Sequence, residues 1–117
     1  MKKRILVQES NADADRALVR YLEADPALNA EVCLVHSQEE ALSELRTTPG
    51  PFDLLITNHR PAATFDRFIA LVHGTKPEMP IILYTGGAGD CPNPHLQAVL
   101  MKPAGRELRA KVAALLA

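Results

Sequence analysis

Short apolar runs alternate along this chain with longer segments whose apolar residues recur at helical spacing, and no other feature restricts the fold as much. The short runs are almost entirely apolar, which is typical of strands covered on both faces of a parallel sheet. They occupy residues 4–8, 31–35, 54–57, 81–85 and 98–101. Pairs such as Asp25-Pro26 and Met79-Pro80 supply turn signals between the runs and the helical segments.

The segments between and after these runs have the period of amphipathic helices. Residues 65–73 show it clearly, with apolar side chains at i, i+3, i+4 and i+7. The other segments are 13–24, 37–46 and 106–117. In the second of these, Ser37 is followed three residues later by Glu40, which is the pattern of a capping box. The alternation predicts one α/β domain over residues 1–117: a doubly wound, five-stranded parallel sheet with helices on both faces.

The stretch between the fourth and fifth predicted strands breaks this pattern. Residues 86–94 contain three glycines and two prolines, and both residue types disfavour a helix interior. We therefore expect the helix that should connect these two strands to be shortened to residues 95–98 or replaced by a loop.

Charge and cysteine content exclude several classes of function. The chain has 13 basic and 14 acidic residues, and they are interspersed, so no basic patch indicates binding to nucleic acid or to a membrane surface. The apolar run behind the basic N-terminus is too short for a signal peptide or a membrane span, so we expect a cytoplasmic protein. Cys33 and Cys91 lack metal-ligand spacing, and we expect no disulfide between them.

Polar residues stand at the carboxyl ends of the predicted strands, where open α/β sheets gather their functional groups. They are Glu9 and Ser10 after the first strand, Asn58 after the third, Thr85 at the end of the fourth, and Lys102 and Pro103 after the fifth. Because the carboxyl ends of parallel strands meet at one edge of a sheet, we expect these residues to form one site.

Four short pieces of sequence surround these positions in a specific order. They are Arg4-Ile5-Leu6-Val7, Phe52-Asp53-Leu54-Leu55-Ile56-Thr57, Pro80-Ile81-Ile82-Leu83-Tyr84-Thr85 and Lys102-Pro103. Together they resemble the receiver domain of two-component response regulators (CheY-like). The resemblance covers essentially the whole chain and implies the flavodoxin-like receiver fold.

In that family an aspartate after the third strand accepts a phosphoryl group, and two acidic residues after the first strand help to hold Mg²⁺. A hydroxyl residue and a lysine bind the phosphorylated product. The resemblance places Thr85 and Lys102 on the hydroxyl and lysine positions, and both are intact. Asn58 falls on the acceptor position. Glu9 and Ser10 fall on the acidic pair, so one carboxylate remains there, and a shift of one residue would leave none.

These departures predict that phosphorylation at this site is lost. An amide is not a nucleophile at neutral pH, so Asn58 cannot form an acyl phosphate. With about one negative charge left instead of three, we expect Mg²⁺ to bind weakly at Glu9 or not at all, and no other cofactor. Lys102 would face Glu9 or the amide oxygen of Asn58. Pro103 would follow a cis bond, as is typical of the family. We expect a mainly structural role for Lys102-Pro103 and for Thr85, with retained anion binding by Thr85 and Lys102 as the alternative. His59 has no second ligand at metal-binding spacing, so we assign it no chemistry.

Two further departures concern output. The family usually has an aromatic residue three positions before its lysine, and Val99 stands there. The shortened stretch over 86–94 also lies in the family's usual output face. We therefore expect partners of ordinary receivers not to fit this chain.

The sequence thus predicts a degenerate, non-enzymatic pseudo-receiver that serves as a protein-interaction or regulatory module in two-component or phosphorelay signalling. The implied partner is a histidine kinase, an output domain or another receiver. A homodimer stays open, as does membership of a longer signalling protein. Two alternatives also remain: a phosphorylatable receiver with unusual geometry, and a small-ligand sensor with its cleft around Glu9, Asn58, Thr85 and Lys102.

Overall fold

The computed structural model describes residues 2–9, 12–47, 52–58, 62–86 and 93–117. The strands are β1 (Lys3–Gln8), β2 (Ala30–Val35), β3 (Leu54–Thr57), β4 (Ile81–Thr85) and β5 (Ala98–Met101). The helices are α1 (Ala12–Glu23), α2 (Gln38–Thr47), α3 (Phe65–Thr75) and α4 (Gly105–Leu116), with a 3₁₀ turn at Ala62–Thr64 before α3. The strands and the four α-helices begin and end within two residues of the predicted segments, whereas the 3₁₀ turn was not predicted. Ser10, His59 and Cys91 lie outside the described residues.

The five strands form one parallel sheet in the order β2-β1-β3-β4-β5. This is the flavodoxin-like order, and it confirms the predicted receiver-type fold. The order reverses at β1, since the chain first moves outward to β2 and then returns to β3 on the other side. Gln8, the last residue of β1, pairs with Val35 of β2 and Thr57 of β3. Ligands of such sheets bind at this reversal, outside the carboxyl ends of the strands.

The sheet separates two apolar cores because successive strand residues point to opposite faces. One core joins α2 and α3 to the sheet and includes Leu6, Leu45, Leu55, Phe68 and Leu83. The other joins α1 and α4 to the opposite face and includes Ile5, Leu22, Ile56, Tyr84 and Leu108. Full burial of each such side chain contributes about 1.5–3 kcal/mol, so the two cores hold the strand ends in place.

The connection into β5 contains no helix in its described part. Residues 93–97 form a turn in which the Leu96 N–H donates to the Asn93 carbonyl at 3.2 Å. Ala98 already belongs to β5, so the structure has no helical stub over 95–98, and residues 87–92 lie outside the described chain. On β5, Val99 is 41% exposed and Met101 is 53% exposed. One face of the edge strand is therefore exposed at these two residues.

The start of α2 corrects one detail of the sequence prediction. The Ser37 hydroxyl accepts a hydrogen bond from the Glu40 N–H at 3.1 Å, as a capping box requires. The Glu40 carboxylate, however, accepts from the His36 N–H at 3.1 Å, one residue earlier than the reciprocal partner of the box. The helix therefore keeps its N-cap, and its second cap contact shifts by one residue. Among the described helices, none has the length and apolar character needed to cross a membrane.

Candidate functional site

The ends of β1 and β3 place two polar side chains next to each other at the reversal of the sheet. The Asn58 N–H donates to the Gln8 carbonyl at 3.2 Å, and the Glu9 N–H donates to the Val35 carbonyl at 3.0 Å. These bonds continue the strand pairing by one residue beyond each strand. Glu9 is only 6% exposed and Asn58 only 5% exposed. Both polar groups are therefore buried, and burial without partners would cost several kcal/mol for a charged group.

The chain itself supplies partners to both oxygens of the Glu9 carboxylate. Asn58 Nδ2 donates to Glu9 Oε1 at 2.6 Å, and the Lys102 ammonium pairs with Glu9 Oε2. Of the two partners that the sequence allowed for Lys102, the structure selects Glu9. Because the amide is uncharged and the ion pair sums to zero, this cluster of Glu9, Asn58 and Lys102 is electrically neutral. We call it the Glu9 cluster.

The backbone after β5 holds Lys102 in position for this contact. The Lys102 N–H donates to the Thr85 carbonyl at 2.8 Å, which extends the β4–β5 pairing. The peptide bond between Lys102 and Pro103 is cis, the geometry that the resemblance implied. The next N–H, that of Ala104, donates to the Tyr84 hydroxyl at 3.0 Å. The lysine thus leaves β5 along a path fixed by the backbone on either side of it.

The structure brings most of the predicted site residues to one place. Glu9, Asn58 and Lys102 are in direct contact, and Thr85 lies at the same edge, 6% exposed and linked to Lys102 through its carbonyl. Ser10, the second residue of the predicted acidic pair, is not among the described residues. The sequence prediction that these strand ends form one site is consistent with this geometry.

The donor set of the Glu9 cluster does not match what Mg²⁺ requires. Mg²⁺ prefers six oxygen ligands in near-octahedral geometry, and proteins usually attract it with one or more free carboxylates. In the cluster, the single carboxylate already accepts from an amide and an ammonium. Within the described part of the chain, no group of three histidine, cysteine, aspartate or glutamate side chains is arranged to hold a metal ion.

A second buried polar contact lies one residue earlier on the same two strands, and the sequence analysis missed it. The Thr57 hydroxyl donates to Gln8 Oε1 at 2.5 Å, and both residues are 1% exposed. Gln8 Nε2 is buried and has no hydrogen-bond partner among the described residues. The signal in the sequence was a polar residue at the last position of each of two strands, directly after three apolar residues.

Cys33 is a free thiol on β2 and packs at the edge of the core under α2 and α3. It is partly rather than fully buried. Burial, followed by the negative charge of Glu44, raises the pKa of the Cys33 thiol above its ordinary value. A thiol with a raised pKa is mostly protonated at neutral pH, so it is a poor nucleophile.

Solved structures with a closely similar fold include several receiver domains. A CheY-like response regulator receiver domain protein from Methanospirillum hungatei JF-1 gives a TM-score of 0.85 at 23% identity, over 99% of this chain and 94% of its own. The signal receiver domain of an HD domain-containing protein from Pseudomonas fluorescens Pf-5 gives a TM-score of 0.84 at 21% identity, and the match covers 99% of this chain and 95% of that domain. An adenylate cyclase structure from Rhodopirellula baltica gives a TM-score of 0.83 at 21% identity, and the match covers 99% of this chain and 88% of that chain.

Neither a protein-family model nor a curated protein matches the sequence. The likeness to solved structures therefore establishes the receiver fold of this chain, and the role of its site rests on the residues described above.

Proposed function

We propose that this chain is a non-enzymatic signalling module of two-component type that works without a phosphoryl group on residue 58. The observation that carries the proposal is the Glu9 cluster. The Asn58 amide N–H donates to one oxygen of the Glu9 carboxylate, and the Lys102 ammonium pairs with the other oxygen. Groups that would accept and sense a phosphoryl group in a receiver are here bonded to each other.

The chemistry of the acceptor position supports this proposal. Phosphoryl transfer to a protein side chain needs a nucleophilic oxygen, and a carboxamide has neither the charge nor the basicity for that role. Transfer also needs cations that offset the charge of the phosphoryl oxygens. Lys102 already offsets the charge of Glu9, so it could offer an uncompensated positive charge to a phosphoryl group only by leaving that carboxylate, which is 6% exposed. Breaking one side of a buried ion pair in this way is strongly unfavourable.

The same reasoning leads us to propose that Mg²⁺ binds weakly or not at all. A divalent cation would have to displace the Lys102 ammonium or the Asn58 amide from Glu9 before it gained a single carboxylate oxygen. The neutral charge of the cluster gives the ion little attraction in return.

The output of such a module would be a contact with another protein. Receiver folds serve as parts of signalling proteins, as the receiver domain of the Pf-5 HD domain-containing protein illustrates. We propose a histidine kinase, an attached output domain or another receiver as the partner. Val99 and Met101 on β5 add exposed apolar surface on the side where the connecting helix is missing over residues 93–97. This surface differs from a helix-covered one, so partner choice would differ as well.

Incubation with acetyl phosphate and Mg²⁺, followed by intact-mass measurement, tests the proposal. The native chain should gain no phosphoryl group, and the Asn58→Asp variant should gain little, since Lys102 still pairs with Glu9. A native chain that gains the mass of one phosphoryl group would contradict the proposal. In that case the phosphorylatable receiver with unusual geometry is the correct alternative, and peptide mapping would locate the acceptor.

A further inference from the structure

A cavity of about 310 Å³ opens beside the Glu9–Lys102 ion pair, between α1 and the start of α4. Most of its wall is apolar or aromatic. The residues that line it include Glu9, Leu18, Tyr21, Tyr84, Lys102 and Gly105. Cavities that bind small molecules usually measure about 300–1,000 Å³ and combine apolar walls with a few polar groups. This cavity stands at the lower end of that range, which suits a molecule with a single ring.

The two aromatic walls are held in place by contacts outside the cavity. The Arg109 guanidinium lies 4.7 Å from the centroid of the Tyr21 ring and pairs with Asp25 at 3.4 Å. The Tyr84 hydroxyl accepts a hydrogen bond from the Ala104 N–H at 3.0 Å, and Tyr84 is 8% exposed. Because neither ring has to be ordered on binding, a ligand would lose little affinity to reorganisation of the walls.

The polar end of the cavity favours an anionic ligand. Both oxygens of the Glu9 carboxylate accept hydrogen bonds, and its side chain is 8% exposed, while the Lys102 side chain is 26% exposed. An ammonium has three N–H donors, and Glu9 takes only one of them at Oε2. Glu9 also lines the cavity, but both of its oxygens are bonded and it is the less exposed partner of the pair, so the more accessible charge at this end is the Lys102 ammonium. A carboxylate is the simplest group that would complement it.

We propose that this cavity binds a small carboxylate that carries one aromatic or cyclic apolar ring. The ring packs against Tyr21 and Tyr84, and the carboxylate accepts from Lys102 Nζ. Such a ligand shares the Lys102 ammonium with Glu9 and so weakens the contact that joins the end of β5 to the ends of β1 and β3. This role as a signalling input rests on the proposed function, whereas binding to the cavity does not.

Benzoate is the probe for the native chain, and benzamide is its matched neutral control. In a titration followed by ¹H–¹⁵N correlation spectra, benzoate should cause saturable shifts at the Tyr21, Lys102 and Gly105 amides. Its dissociation constant should be on the order of 1 mM, given about nine non-hydrogen atoms. Benzamide should bind about tenfold more weakly, because its carbonyl oxygen accepts from the Lys102 ammonium without the attraction between opposite charges.

Two glycine variants test the location. A side chain at Gly105 would begin 3.5 Å from the Tyr21 ring, whereas a side chain at Gly74 on α3 meets no atom within 4 Å. Gly105→Leu should therefore weaken benzoate binding at least about tenfold, and Gly74→Leu should leave it at the native value. If Gly105→Leu fails to fold, the comparison of benzoate with benzamide and the positions of the shifted amides decide the question.

The inference is overturned if benzoate causes no saturable shift up to about 20 mM, or if the shifts lie away from the cavity. Equal affinity for benzoate and benzamide, or a folded Gly105→Leu variant with native affinity, would overturn it too. None of these outcomes bears on the proposed function, which depends on the mass gained from acetyl phosphate. A phosphorylated native chain that still binds benzoate would contradict the proposed function and leave the cavity assignment standing.

Discussion

Replacing Asn58 by aspartate should destabilise the fold at neutral pH, even though aspartate is the residue that a working receiver has at this position. The Asn58 amide donates to Glu9 Oε1 at 2.6 Å in a site where both residues are about 5% exposed. Asn58→Asp removes that donor, and a hydrogen bond to a charged group contributes about 1.5–3 kcal/mol. It also sets a second carboxylate at nearly the same distance from the first.

The variant can accommodate the second carboxyl group either ionised or protonated, and the less costly state sets the size of the effect. Keeping both carboxylates ionised at 2.6 Å costs about 6 kcal/mol at an effective dielectric constant near 20. Protonating the introduced carboxyl at pH 7 costs about 4 kcal/mol, because its pKa must rise by about three units. Protonation is therefore the cheaper route, and the hydrogen bond that the protonated carboxyl can donate to Glu9 offsets part of its cost. We expect a net loss of about 2–3 kcal/mol in the free energy of unfolding.

Urea unfolding of both proteins between pH 4.5 and 8 measures this loss. The carboxylate of Glu9 raises the folded-state pKa of the introduced carboxyl above its unfolded value, so the variant loses stability as pH rises. Near pH 4.5, roughly the pKa of a free carboxyl, the difference should shrink, since the protonated group can donate to Glu9. If Mg²⁺ binds the variant with a dissociation constant of about 1 mM, adding 10 mM Mg²⁺ should raise its free energy of unfolding by about 1.4 kcal/mol. The same addition should change the free energy of unfolding of the native chain by almost nothing.

Asn93→Asp is the matched control. Asn93 Nδ2 also donates to a carboxylate, that of Asp66 at 3.0 Å, but this contact is exposed. Solvent screens such a pair, so the control should lose no more than about 1 kcal/mol. If Asn58→Asp costs no more than Asn93→Asp, or if Mg²⁺ stabilises the native chain as much as the variant, the Glu9 cluster does not have the energetics described above.

Three further predictions concern the rest of the fold. Ser37→Ala should lower the free energy of unfolding by about 1 kcal/mol, because the N-cap of α2 is lost. The exposed control Ser43→Ala should change it by less than about 0.5 kcal/mol. A larger loss at Ser43 than at Ser37 would contradict the cap assignment. Thr57→Val should lower the free energy of unfolding by about 1–3 kcal/mol, because the buried Gln8 amide oxygen loses the Thr57 hydroxyl as its donor. In urea unfolding, the Thr57→Val/Gln8→Met double variant should be more stable than Thr57→Val alone. Burial raises the Cys33 pKa, so the unfolded chain ionises first and stability falls as pH passes the ordinary thiol pKa. Cys33→Ala should therefore lose less stability than the native chain between about pH 8 and 10. Equal losses would show that the thiol does not contribute to the pH dependence of stability.

The fold was predictable because a parallel sheet with both faces covered needs nearly continuous apolar strands. Residues such as Ile5, Leu6 and Val7 are buried on opposite faces and left a clear signal. The site was predictable to the extent that strand ends meet at one edge of a sheet. Glu9, Asn58 and Lys102 come from three different strand ends, and the structure brings them together.

The remaining features depend on geometry that no local pattern contains. Whether Lys102 bonds to Glu9 or to the amide oxygen of Asn58 depends on side-chain torsions and on distances between strands. The cavity beside it depends on how α1 and α4 pack across the sheet face, which fixes the separation of Tyr21 from Gly105. The cap of α2 shows the same limit on a smaller scale, since the Glu40 carboxylate bonds to His36 and not to Ser37.

The most direct test of the central claim is a ¹H–¹⁵N correlation spectrum of the native chain before and after addition of Mg²⁺ and beryllium fluoride, which mimics a phosphoryl group. The claim is that the Glu9 cluster is closed to such a group because Asn58 and Lys102 both bond to Glu9. The amide signals of Glu9, Asn58, Thr85 and Lys102 should then stay where they are. Saturable shifts at Thr85 and Lys102 would show that the site still receives a phosphoryl group, and would contradict the claim.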